Sequence, residues 1–220
     1  MTVTNIYGKA PPDEFEEWSQ YSFNGFETHL KREDFDDFAQ LKRLFQQYAT
    51  DISVVHTPHV MWPEDKQLFQ QSVSLAQLVG AQLCIHSSYV SPVKASEIDN
   101  ELSISVTYGY ESSLGHSYEF IENVVFTEDL PFVLDVAHFY TGNPSNYLDT
   151  VDDLLTRYGE QISLVHFCDS TTTVDGLPLG EGELPVDDLW ELLQQKYYGP
   201  VTLEVGPDHQ LDALNYVQSL

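Results

Sequence analysis

Apolar residues recur along the chain in two alternating rhythms. Short runs with every second residue apolar have the period of a strand with one buried face. They fall at 3–7, 23–30, 52–57, 81–87, 103–111, 131–137, 162–167 and 201–205. Between them the period lengthens to that of a helix. Residues 33–48 put Phe35, Phe38, Leu41, Phe45 and Tyr48 on one face, and 65–79 carry Leu68, Val73, Leu75 and Leu78 up to Gly80. Residues 144–158 open on Asn143-Pro144 and stop at Gly159, 185–198 close at Gly199-Pro200, and 208–219 form a last helix. An asparagine before a first-turn proline, and glycine past the last turn, are the expected helix punctuation. The helices after the first, fourth and fifth strands read as short.

Alternating β and α units argue for a parallel sheet with helices outside it. Eight such units predict an α/β fold of the (β/α)8 TIM barrel class, compact because such barrels usually run to about 250 residues. With no linker or low-complexity tract, one domain over 1–220 is expected. The competing architecture, an open doubly wound sheet, needs a glycine-rich phosphate turn after its first strand, and Tyr7-Gly8-Lys9-Ala10 is not one.

Six of the strand-like runs end on a side chain of metal-ligand type: His56, His86, Glu111, Asp135, His166 and Glu204. In a barrel, active groups sit at the C-terminal strand ends. Period-two alternation puts Val54 on the face of His56, Cys84 on that of His86, Val133 on that of Asp135, Leu164 on that of His166, and Thr202 on that of Glu204. Glu111 is less regular, because Gly109 precedes it on its face. Two glutamates, an aspartate and a histidine suit Mn, Mg, Co or Zn rather than a thiolate-bound metal. His56 and His86 fit a second metal ion bridged by Glu111, or substrate contacts.

Charge narrows the partners. The chain has 9 Lys+Arg against 35 Asp+Glu, a net charge of −26. Such a surface repels nucleic acid and anionic membranes, and it looks adapted to high salt. Two cysteines imply no disulfide framework and a reduced, cytoplasmic setting. No basic-then-apolar leader and no membrane-length apolar run is visible. The strand-end loops hold few cations: Lys9, Lys31, Arg32 and Lys94. Phosphates and DNA need more. A small neutral sugar or polyol fits better, with Trp62, Tyr89, Phe139 and Tyr140 placed to offer aromatic faces. Gly180-Glu181-Gly182 reads as a tight turn rather than an anion nest. His29, His59, His116 and His209 receive no role.

The segments VVHTPH (54–59), CIHSSY (84–89), LDVAHFYTGN (134–143), SLVHFCDS (163–170), LPLGEGEL (177–184) and VTLEVG (201–206), in this order, make the chain resemble a known family over nearly its whole length. It is similar to the xylose isomerase-like barrels. These include sugar isomerases and epimerases, inosose dehydratases and apurinic-site endonucleases of the endonuclease IV type. The resemblance implies that Glu111, Asp135, His166 and Glu204 hold one divalent metal ion. It implies that Glu111 and Glu204 are the catalytic proton-transfer pair of an isomerase working through a metal-stabilised ene-diolate. It also implies that His138, expected on the opposite side of the strand end from Asp135, contacts substrate or a further metal.

Two departures stand out. The endonuclease pattern has a histidine just before PLGEG, where this chain has Asp175-Gly176-Leu177. Glu111 also stands only 24 residues before Asp135, so Glu101, Glu119 and Glu122 compete with it, the last two at exposed helix positions. The resulting reading is a metal-dependent isomerase or epimerase of a small sugar or polyol. The rivals are a metal-dependent phosphodiesterase or apurinic-site endonuclease, and a non-catalytic sugar-binding barrel.

Overall fold

The computed structural model describes residues 3, 5–86, 90–102 and 104–220. Eight parallel strands close into a barrel in chain order: β1 (Ile6–Lys9), β2 (Phe26–His29), β3 (Ile52–His56), β4 (Gln82–Ile85), β5 (Tyr108–Glu111), β6 (Phe132–Asp135), β7 (Ile162–Phe167) and β8 (Val201–Leu203). Pairing of Ile6 with Val201 and Tyr7 with Thr202 shuts the ring. This is the expected (β/α)8 TIM barrel. Thr4, Ser87, Ser88, Tyr89 and Ser103, which belong to the segments read from the sequence, lie outside the described residues.

The helices are α1 (Phe15–Trp18), α2 (Phe38–Gln47), α3 (Lys66–Val79), α4 (Pro92–Leu102), α5 (Tyr118–Phe120), α6 (Val136–Gly142), α7 (Tyr147–Tyr158), α8 (Val186–Lys196) and α9 (Gln210–Ser219). The main core lies between barrel and helices. Val55, Leu83 and Val165 of the strands share it with Phe45, Phe69 and Leu189 of the helices, all fully or almost fully buried. Each such side chain contributes about 1.5–3 kcal/mol by leaving water. A smaller cluster fills the barrel interior: Val54, Cys84, Val133 and Leu164, with Tyr7 against it. These are the interior positions that strand alternation predicts, each two residues before a polar strand end. Both cysteines are free and buried.

Two register shifts set the barrel mouth. Phe26 pairs with Ile52 but Glu27 with Val54, and Phe132 pairs with Ile162 but Val133 with Leu164. Each is an irregularity of the β-bulge kind, which re-aims the residues beyond it. Beyond them His29 registers with His56, and Asp135 with His166.

The structure corrects several element boundaries. β1 runs to Lys9, two residues past the expected end. The run 131–137 leaves the sheet at Asp135, whose side chain caps α6: Oδ1 accepts from His138 N at 2.8 Å. Asn143 does not start a helix. It closes α6, its N–H donating to the Phe139 and Tyr140 carbonyls, while its side chain accepts from Tyr118 N and donates to His116 O. α7 then begins at Tyr147. α4 is a full helix of 11 residues rather than a short one.

Candidate metal centre

The ends of β5 to β8 bring Glu111, Asp135, His166 and Glu204 together, with one ligand atom from each all within 4.8 Å of one another. His166 is the hub. Its Nδ1 lies 3.1 Å from both Glu111 Oε1 and Glu204 Oε2, and 4.0 Å from Asp135 Oδ2. One ring N–H cannot serve three carboxylates, and carboxylates this close repel one another unless a cation lies among them. Hard oxygens plus one imidazole are the donors that divalent cations of the Mg, Mn or Zn kind take. The residues therefore fit a divalent metal. Glu101 and Glu119, by contrast, are exposed, and Glu101 and Glu122 pair with Lys66 and Arg157. Only Glu111 of these candidates lies in the barrel. The short stretch from Glu111 to Asp135 is spanned by α5 and a π-helical turn, Ile121–Val125, in place of a full helix.

The charges are strongly coupled. Burial pushes the Asp135 carboxyl up to about 7, with His138 opposing and Glu204 and Glu111 reinforcing. Burial also disfavours charge on Glu111 and Glu204. His56 and His166 at the first, and Lys9 and His166 at the second, outweigh it and hold both carboxyls well below the usual range. Lys9, the last residue of β1, places Nζ 2.9 Å from Glu204 Oε1.

His56 and His86 stand beside Glu111. His56 Nδ1–H donates to Thr57 O at 2.8 Å, which leaves Nε2 facing Glu111 Oε2 at 3.1 Å. His86 Nε2 is 3.9 Å from the same oxygen, and the two rings meet edge to face. Their nitrogens thus converge on one carboxylate oxygen. Glu27, His29 and His56 also bring ligand atoms within 4.8 Å of one another. They are poorly suited to share an ion, because the His29 and His56 rings stack at 3.9 Å and 19°. Lone pairs lying in near-parallel ring planes do not meet at a point.

His138 is not on the opposite side of the strand end from Asp135. The first turn of α6 swings it back, so that Nδ1 lies 3.3 Å from Asp135 Oδ2. Nδ1–H donates to Ser112 O at 2.7 Å, and Nε2 meets Asp175 Oδ2 at 3.1 Å. Burial works against its charge, but Asp135 and Glu111 raise it to about 9. Acceptors at both nitrogens agree with an imidazolium.

A cavity of about 570 Å3 opens over these groups, lined among others by Lys9, His59, His86, Ser113, Leu114 and His138. A second lobe of about 440 Å3 runs on over Lys31 and Arg32. Of the aromatic faces expected for a sugar, Trp62, Phe139 and Tyr140 are placed elsewhere, and Tyr89 lies outside the described residues. Phe139 is fully buried, Tyr140 packs on Tyr147, and Trp62 on Phe69. Arg32 is held by Asp65 and donates to His59 O. At the Gly180 turn the backbone N–H groups of Ser170, Gly180, Gly182 and Leu184 all donate to the buried carboxylate of Asp169. The loop is therefore a nest, and the anion in it is the chain's own.

Sequence reasoning missed Glu27, His29 and the place of Lys9. Glu27 is fully buried, with Oε2 3.1 Å from His166 Nε2 and Oε1 3.2 Å from His29 Nε2. His29 Nε2 also lies 3.4 Å from Glu204 Oε1, and burial, His56 and Lys9 lower it to about 3. His29 closes β2, as the other six stand at or beside the ends of their strands, so the strand-end pattern carries a signal for it.

The model of the xylose isomerase-like TIM barrel family matches residues 95–219, more than half of the chain, and the chain belongs to that family. Its structure is similar to that of a xylose isomerase domain protein from Planctomyces limnophilus, with TM-score 0.74 and 12% identity over 99% of this chain and 96% of the other. It is also similar to the D-allulose 3-epimerase from Methylomonas sp., with TM-score 0.68 and 14% identity over 100% and 99%. SacUVDE is similar at TM-score 0.57 and 13% identity over 94% and 82%. At these identities the likeness is one of fold. No curated protein matches the sequence.

Proposed function

We propose that this chain is a divalent-metal-dependent isomerase or epimerase of a small neutral sugar or polyol, working in the cytoplasm. The observation that carries this reading is the meeting of Glu111, Asp135, His166 and Glu204, with ligand atoms all within 4.8 Å of one another, where Glu111 and Glu204 line the cavity. A divalent cation held there supplies Lewis-acid polarisation of a carbonyl, which acidifies the neighbouring C–H. Glu111 and Glu204 approach His166 Nδ1 from different strands, each at 3.1 Å. One carboxylate takes the proton from carbon, and the other, loaded with a proton from solvent, gives that proton to the opposite face, while the first releases its own to solvent. His138, beside Asp135 at the cavity wall, donates its Nε2–H to a substrate oxygen that takes the place of the exposed Asp175 carboxylate. His86 and Ser113 offer further partners for hydroxyl groups.

The mouth supports a neutral substrate over a phosphodiester. Lys9 is engaged by Glu204, Arg32 by Asp65 and Lys94 by Glu97. The stretch where endonuclease-type relatives carry a histidine for a third metal is Asp175-Gly176-Leu177 in this chain, without one. The resemblance in fold to a D-allulose 3-epimerase supports the sugar reading.

Solvent exchange tests it. With divalent metal and a panel of ketoses in heavy water, the wild type is expected to place deuterium at carbon next to the carbonyl, and Glu111→Gln and Glu204→Gln to lower that rate at least about 100-fold. Wild-type nicking of abasic DNA without exchange would favour the hydrolase. Sugar binding with neither activity would favour a non-catalytic barrel.

A further inference from the structure

A full carboxylate inside an apolar layer needs a reason. Glu27 registers with Val54 and lies against the interior cluster of Val54, Cys84, Val133 and Leu164, with a ligand atom of Cys84 within 4.8 Å of its own. It is fully buried. Taking such a charge out of water costs several kcal/mol, and an apolar residue of similar volume is commonly as stable or more so. Fold stability alone therefore does not account for it. Nor is it satisfied by neighbouring backbone: neither oxygen has an aligned hydrogen bond among the described residues. What the two oxygens meet are two imidazole nitrogens, His166 Nε2 at 3.1 Å and His29 Nε2 at 3.2 Å. His166 Nε2 likewise lacks an aligned partner. The opposite ring nitrogen, Nδ1, faces Glu111 and Glu204.

We propose that Glu27 is the positioning residue of the metal centre: it holds the Nε2 edge of His166 as a hydrogen-bond donor and so commits Nδ1 to the cage. A ligating imidazole has two nitrogens, and an acceptor behind one of them fixes which carries hydrogen and which binds. An acceptor-only carboxylate does this without ambiguity. With its second oxygen Glu27 also meets His29, which stacks on His56 and reaches Glu204. One buried group thus braces a ligand on β7 and a histidine beside the other half of the site.

The inference rests on the metal reading, and the test separates the two. Binding of Cd2+ is followed by titration and by nitrogen NMR of the histidines in wild type, Glu27→Leu and Glu27→Gln. In the wild type, His166 is expected to bind Cd2+ through Nδ1 and to keep a protected Nε2–H. Glu27→Leu, which suits the apolar layer, is expected to fold, with affinity about 10–100-fold weaker. Glu27→Gln keeps one acceptor oxygen and is expected to fall between the two. Coordination through His166 Nε2 overturns the proposal in the wild type alone. Wild-type affinity in Glu27→Gln and in folded Glu27→Leu overturns it as well. If Glu27→Leu does not fold, the result for Glu27→Gln decides. A wild type that binds no Cd2+ fails the metal reading itself.

Discussion

At position 109 there is no space for a side chain. A Cβ built there would lie 2.5 Å from Val133 Cγ2 and 2.6 Å from Ser163 Oγ, inside van der Waals contact with both. The gap in the interior pattern before Glu111 is thus a requirement of packing: β6 and β7 fill the space that a residue on β5 would take. Gly109→Ala is expected to destabilise the fold by about 1–3 kcal/mol, the usual cost of overpacking, measured by denaturant unfolding. Because Glu111 is two residues on, the same variant should also bind divalent metal more weakly. An unchanged unfolding midpoint would mean that the neighbours yield freely.

Among the elements, β7 was legible to the residue, and α3, α8 and α9 nearly so, because apolar periodicity and flanking Gly or Pro agree in those stretches. Asp135 defeated the pattern: it ends a strand and caps a helix at once, so the run 131–137 looks continuous when its backbone has already turned. The two register shifts were also hidden, since Ser53 and Ser163 look like ordinary alternating positions. Those shifts decide that His29 meets His56 and Asp135 meets His166. Six strand-end residues were readable for this reason: alternation fixes the face a residue points to. Its partner across the barrel depends on register and closure, so Glu27 stayed invisible as a partner of His166. The 177–184 loop obeys a similar non-local logic. Its backbone folds around Asp169, and a Cβ on Gly182 would sit 2.3 Å from Asp169 Oδ1. Asp169→Ala strands four backbone donors, at about 1–3 kcal/mol for each that stays buried. Limited proteolysis is expected to cut the variant between 171 and 184 under conditions that leave the wild type whole, and equal resistance would contradict this account of the loop.

For the whole molecule, barrel closure is what creates the centre. The four residues proposed as its ligands come from β5, β6, β7 and the end of β8, with Lys9 and Glu27 reaching in from β1 and β2. No single βα unit contains the site. The chain carries a net charge of −26, which gathers cations without specificity at low ionic strength. In molar KCl the Debye length shrinks to about 3 Å, so loosely attracted ions wash away while a coordinated one stays. The most direct measurement is therefore the divalent metal content of the protein after dialysis in molar KCl, for the wild type beside Asp135→Asn and Glu204→Gln. The wild type is expected to retain divalent metal and both variants to lose it. A wild type that retains none, or variants that retain as much as the wild type, would contradict the central claim that these strand ends form a metal cage.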